Sequence, residues 1–256
     1  MCGQPNAIDR DGRATENYMT GASVNELFLI GAAQMKAATP LRRGSGRPRD
    51  AKLPERRRRE ILEIATRKFA QHGYADTDLQ LVADELRVGK GTVYRYFPSK
   101  ELLFLAAVDQ GMQQLSVAID QAVVKAATAL ERVEFGIRAY LQYFDEHADV
   151  IELLMQERAF FRDRERPTYF VHQDANIGPW MELFRELIRD GSVRDVPVHR
   201  ISDVISDLLY GTIFTNYFAR RKKSLASQCA DVLDILFRGI LSERKRGVDA
   251  KSHKNN

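Results

Sequence analysis

Cysteine is nearly absent from this chain: there are two in 256 residues, Cys2 and Cys229, far apart and in no CxxC pair. That argues against a disulfide framework and against a cysteine zinc site, and it fits a reducing cytoplasm. Long apolar runs are missing as well. The best, Leu27–Ala33 (LFLIGAA), falls well short of the roughly 20 residues that cross a bilayer. Asp9, Asp11 and Glu16 precede it, which does not suit a secretory signal. Neither a spanning segment nor a membrane role is expected. The glycines build no GxxxxGK[ST] phosphate loop and no dinucleotide fingerprint, and there is no GxSxG elbow or HExxH helix. Ser, His and Asp occur in no informative arrangement, so the chain is not expected to be an enzyme or to hold a metal or cofactor. Strand-like alternation is also lacking, and the fold class is expected to be all-α.

What is present is unevenly placed. The formal net charge is only +4. Residues 40–100, however, hold 15 Lys/Arg against 8 Asp/Glu, which leaves the rest of the chain slightly acidic. A basic block of this kind is the footprint of a polyanion partner, and a solvated surface is the plainer reading. Residues 1–45, rich in Gly, Ala, Asn and Thr, are expected to be disordered. Met35 is an alternative natural beginning. Leu41–Lys52 (LRRGSGRPRDAK) forms a basic arm broken by Gly and Pro. Its GRPR core resembles an AT-hook, with Arg47 and Arg49 suited to a narrow A·T minor groove; a flexible solubilising arm is the other reading.

From Pro54 the period becomes helical. Ile61, Ala65 and Phe69 recur on one stripe, and Gly73 suits the end of that helix. Thr77 and Gln80 have the spacing of a capping box opening a short second helix, with Val82, Ala83 and Leu86 buried. After a turn at Arg87–Val88–Gly89, a third helix spans about Lys90–Tyr96, turning Val93 and Phe97 inward. Pro98 ends it, and Ser99 caps a fourth helix. Further helices are expected near 100–127, 131–147, 150–163, 168–190, 198–222 and 225–244, followed by a polar tail. The domain reading is therefore an extension at 1–45, a basic arm with a three-helix module at 46–102, a helical domain at 103–245 and a disordered tail at 246–256.

Two short helices joined at this spacing describe a helix-turn-helix. Here Ala65, Phe69, Gly73, Tyr74, Thr77 and the string KGTVYRYFPSKELL beginning at Lys90 resemble the N-terminal domain of the TetR family of transcriptional regulators. The family commonly has Ala-Gly in the turn. This chain has Leu86–Arg87, so Arg87 is expected to carry a positive φ that Gly would relieve, at a cost of about 1 kcal/mol. Gly89 replaces a frequent Ser at the start of the third helix.

The resemblance implies contact with double-stranded DNA, a palindromic operator, through Thr77, Lys90, Gly91, Thr92, Tyr94, Arg95, Tyr96 and Lys100. Lys90 and Arg95 carry donors for guanine or phosphate, the hydroxyls suit phosphate oxygens, and Gly91 permits close approach. Packing on the first helix is the other reading for Tyr94 and Tyr96. The resemblance also implies a homodimer through the last two helices, where Ile201, Val204, Ile205, Leu208, Leu209, Gly211, Phe214, Tyr217 and Phe218, then Val232, Leu233, Ile235, Leu236, Phe237, Ile240 and Leu241, supply apolar surface for a core or a partner subunit. It implies too a pocket for a small, apolar effector in the middle helices. Pocket candidates are Tyr140, Phe144, Met155, Phe160, Phe161, His172, Trp180 and Phe184, with ordinary core as the alternative. The expected function is a ligand-released repressor. An activator or a ligand-independent DNA-binding protein of the same fold is the alternative, and a basic membrane-surface protein is a distant one.

Overall fold

The computed structural model describes residues 53–220 and 223–238, and these belong to one compact unit. The basic arm with Arg47 and Arg49, the extension before it, Ile240, Leu241 and the tail lie outside the described residues. Nine helices follow one another within them: α1 (Leu53–Asp76), α2 (Leu79–Glu85), α3 (Lys90–Tyr96), α4 (Lys100–Val123), α5 (Ala129–Glu146), α6 (Ala148–Phe160), α7 (Thr168–Arg189), α8 (Val198–Ala219) and α9 (Leu225–Arg238). The described residues include no strand.

Ile61, Leu62, Ala65 and Phe69 bury the inner stripe of α1, and Gly73, at φ 80°, breaks its helical path. The expected capping box is not formed, because Asp78, one residue further on, takes the N-cap of α2 and accepts from the Gln80 N–H at 2.8 Å. Thr77 instead turns inward. Its hydroxyl donates to the Gly73 carbonyl at 2.6 Å and its side chain is buried. An Asp carboxylate is the stronger acceptor for an exposed helix start, and Thr is better suited to a buried turn.

The turn after α2 is a Schellman motif. The Arg87 N–H donates to Asp84 and the Val88 N–H to Ala83, both at 3.0 Å. Arg87 takes the left-handed position at φ 55°, as the family comparison of the turn implied. Gly89 then caps α3 without a side chain, and the Ser99 hydroxyl caps α4 by accepting from Leu102.

Helix α4 has the length and apolar content to cross a bilayer, but Leu103, Phe104, Val108, Met112 and Leu115 on it are buried. It is the central core helix, packed against α1, α5, α6 and α7. Thr128 and Glu131 form a full capping box that starts α5. Helices α1 and α6 pack along each other, α5 packs on α4 and α9, and α7 on α4 and α8. Glycine is required at two crossings. A Cβ on Gly111 would lie 2.9 Å from Val150, and one on Gly136 would lie 2.3 Å from the Trp180 ring.

Candidate DNA interface and internal cavity

The outward side of α3 is exposed, while Val93 and Phe97 lie at 0 % exposure beneath it. Gly91 is exposed, and a Cβ there would meet nothing within 4 Å. Its missing side chain therefore serves no internal packing. Tyr94 is 42 % exposed. Arg95 is exposed too, with its guanidinium carbon 5.6 Å from the centre of the Tyr96 ring. Thr92 and Tyr96 are half-buried.

Lys90 reaches Asp78 at 2.6 Å. That hydrogen bond is the main cause holding the Asp78 carboxyl below the usual range, and in return it raises Lys90. Arg58 lies over the Phe97 ring at 5.2 Å, joining the basic start of α1 to the same module.

Two of the expected DNA contacts are also engaged within the head. Thr77 offers no outward hydroxyl, because its oxygen is committed to the end of α1. Lys100 donates to the Ala75 and Thr77 carbonyls at 2.8 and 3.2 Å and lies 4.9 Å from the centre of the Tyr74 ring. Lysine has three donors, so two are spent on closing the C-terminal end of α1. The carbonyls exposed by the break at Gly73 attract a cation.

A cavity of about 150 Å³ lies among α4, α5, α7 and α8. Tyr140, His172, Trp180 and Phe184 line it, as do Tyr169 and Ser202, which the sequence reading did not single out. A second lobe of about 240 Å³ shares Ser116, Ile119, Asn176 and Trp180 with it and has Arg132 and Asp120 at its wall. Pro179, in the wall of the second lobe, takes one N–H out of the ladder of α7.

The Tyr140 and Tyr169 hydroxyls pair at 2.9 Å. Burial pushes the Tyr169 hydroxyl up to about 12 and Tyr140 well above its ordinary value, so both stay neutral. His Nε2–H of His172 donates to Asp109 at 2.7 Å.

Four pocket candidates lie elsewhere. Phe144 is core, edge-on to Tyr140 and Tyr143. Met155 is half-buried on α6 away from the cavity lining. Phe160 and Phe161 surround Tyr74, with centroids at 5.3 and 4.9 Å, and so cover the end of α1. Helix α6 points these rings at the first helix and away from the void, a direction that sequence spacing alone does not reveal.

Helix α6 links the two regions. The Gln156 amide donates to the Phe69 carbonyl on α1 at 3.0 Å. Next to it, the buried Glu157 carboxylate accepts from the Thr168 N–H at 3.0 Å and its hydroxyl at 2.7 Å, and Arg164 lies 3.4 Å away. Thr168 opens α7, whose next residue, Tyr169, lines the cavity.

A helix-turn-helix with an exposed basic, aromatic third helix, carried on a helical body with a cavity, defines a DNA-binding regulatory protein. Residues 61–107 match the family described as bacterial regulatory proteins, tetR family. The chain is 33 % identical over 100 residues to the HTH-type transcriptional regulator YhgD of Bacillus subtilis, covering 39 % of this chain and 52 % of that protein. With the transcriptional repressor KstR of Mycolicibacterium smegmatis it shares 26 % identity over 192 residues, 74 % of this chain and 89 % of the relative. The fold is similar to the regulator FadR of Bacillus subtilis, solved with stearoyl-CoA, at a TM-score of 0.58 and 19 % identity, covering 72 % of this chain and 99 % of that one. Residues 61–107 are thus a DNA-binding domain of the tetR type, and the helices behind them share the fold of such regulators.

Proposed function

We propose that the protein is a homodimeric repressor that holds a palindromic operator through α3 and releases it when a small molecule occupies the cavity. Its role is regulatory, not catalytic, and cytoplasmic. The observation that carries the ligand response is the unbroken chain of contacts from Tyr169 through Thr168, Glu157 and Gln156 to Phe69, which joins the cavity to α1. An occupant that moves Tyr169 shifts the first turn of α7, and the buried Glu157 passes that shift to α6 and the head. Stearoyl-CoA in the solved relative supports a largely apolar ligand class in this fold.

Dimerisation rests on an uncovered apolar face. Val204, Leu208 and Phe218 on α8 are 58, 37 and 69 % exposed, and Ile235 and Phe237 on α9 are 50 and 42 % exposed. Along α8 these residues recur at helical spacing, and Gly211 between them is open, so a second helix can approach closely. Two heads held on one such interface read half-sites about 34 Å apart.

Selection of bound sites from random duplex DNA tests the dimeric operator-binding part of the reading. A two-fold symmetric motif is the expected result. Recovery of no motif, or of an asymmetric one, overturns the dimeric operator-binding role.

A further inference from the structure

The cavity has a chemical signature of its own. Among the described residues that line its inner lobe there is no Lys, Arg, Asp or Glu. The single imidazole, His172, is already held by the Asp109 carboxylate, and a second anion beside that pair would meet like charge. An ionised group entering an apolar cavity without a counter-ion loses its hydration with nothing to replace it.

The second lobe is no better suited to an anion, because its wall sets Asp120 against Arg132. Neither lobe offers the several cations that the phosphates of an acyl-CoA require.

One fully buried polar atom of the lining is unpaired. Ser202 on α8 is 4 % exposed, and its hydroxyl oxygen has no hydrogen-bond partner among the described residues. A buried helical serine ordinarily returns its proton to the carbonyl four residues earlier. This one lines the inner lobe with its hydroxyl unpaired.

Size sets a further limit. A lobe of about 150 Å³ holds roughly one aromatic ring. Both lobes, at about 150 and 240 Å³, reach the lower end of the range of ligand sites, ~300–1,000 Å³. Ser116, Ile119, Asn176 and Trp180 line both.

We propose that the effector is an uncharged, largely apolar molecule carrying one hydroxyl or carbonyl oxygen, which Ser202 meets in the inner lobe. This rests on the reading of the cavity as the effector site.

Four probes of one skeleton test it on the full-length protein: n-butylbenzene, 4-phenylbutan-1-ol, 4-phenylbutanoate and the CoA thioester of that acid. Trp180, the only tryptophan in the chain, reports binding by its emission, and calorimetry checks it. The alcohol binds about tenfold tighter than the hydrocarbon and than the acid. Ser202→Ala removes the alcohol's advantage and leaves the hydrocarbon unchanged, as expected where a site atom is built to pair with the ligand's oxygen. The proposal is overturned if the acid or thioester binds as tightly as the alcohol, if the advantage survives Ser202→Ala, or if none of the four binds.

Occupancy of the selected DNA, followed in the same samples, separates the two readings. Release by the acid or thioester leaves a ligand-responsive repressor and sinks only the uncharged class. Binding of the alcohol with no change in DNA occupancy sinks the ligand response instead.

Discussion

The head and the helices behind it are built to different tolerances. In the head, Ile61, Ala65, Phe69, Val82, Ala83, Val93 and Phe97 all lie at 0 % exposure. The inward positions of all three helices are filled. Behind it, α4, α5, α7 and α8 leave a two-lobed void, an unpaired buried hydroxyl at Ser202 and a half-exposed tryptophan. A helix that reads base edges must hold its register to a fraction of an ångström, so its support is close-packed. Helices that answer to a ligand need two arrangements of similar free energy, which a filled core does not offer.

The most direct way to break this contrast is to truncate one large ring on each side. Phe97→Ala removes a fully buried side chain and the platform under Arg58. It should cost about 3–5 kcal/mol and abolish operator binding. Trp180→Ala removes a larger ring, but one that is half-buried and lines both cavities. Its cost should stay below about 2 kcal/mol, since much of its contact is already missing. Urea unfolding followed by circular dichroism measures both. Equal costs would mean that the regulatory helices are as tightly specified as the head.

The same contrast explains what could be read from the sequence. The head was legible nearly to the residue. Helix α3, the inward Val93 and Phe97 and the Ser99 cap are set by neighbours within a few positions, and the positive φ of Arg87 followed from the family resemblance of the turn. The expected capping box failed through competition between adjacent polar residues. Thr77 and Asp78 are both credible caps, and only burial decides that threonine goes inward. The carbonyls that Lys100 meets, at Ala75 and Thr77, become its neighbours only once α1 and α4 come together.

In the regulatory helices the elements were legible and the void was not. Tyr140, His172 and Trp180 do face it, but Phe144, Met155 and Phe160 share their composition and face elsewhere. A cavity is a property of how helices cross, and Gly136, which admits the Trp180 ring, looks like any other glycine in the chain.

A smaller effect tests whether the head is rigid in its charges as well as in its core. The exposed Asp78 carboxylate holds Lys90 at 2.6 Å, and on DNA a phosphate would have to take the ammonium from it. Asp78→Asn keeps the helix cap, because Asn caps as well as Asp. It frees Lys90 and removes a negative charge from the DNA side. Operator affinity should rise about three- to tenfold, and the salt dependence should steepen by roughly one counter-ion. Titrations at several salt concentrations measure both, and an unchanged slope would place Lys90 off the phosphate backbone.

The smallest effect concerns the one strained residue of the reading head. Arg87 occupies the left-handed position of the Schellman turn at φ 55°, where a side chain costs about 1 kcal/mol or somewhat more. Arg87→Gly relieves that strain, but it also loosens the unfolded chain, which returns part of the gain. The net should be a stabilisation of about 0.5–1 kcal/mol, or roughly 2 °C in Tm. The turn's two hydrogen bonds come from backbone N–H groups, so the substitution leaves the path from α2 to α3 intact, and operator affinity should not change. A stabilised protein with weakened binding would show that the Arg87 side chain itself touches DNA. A protein with no gain in Tm would show that the turn holds its left-handed residue without strain, and that the head is relaxed there as well as filled.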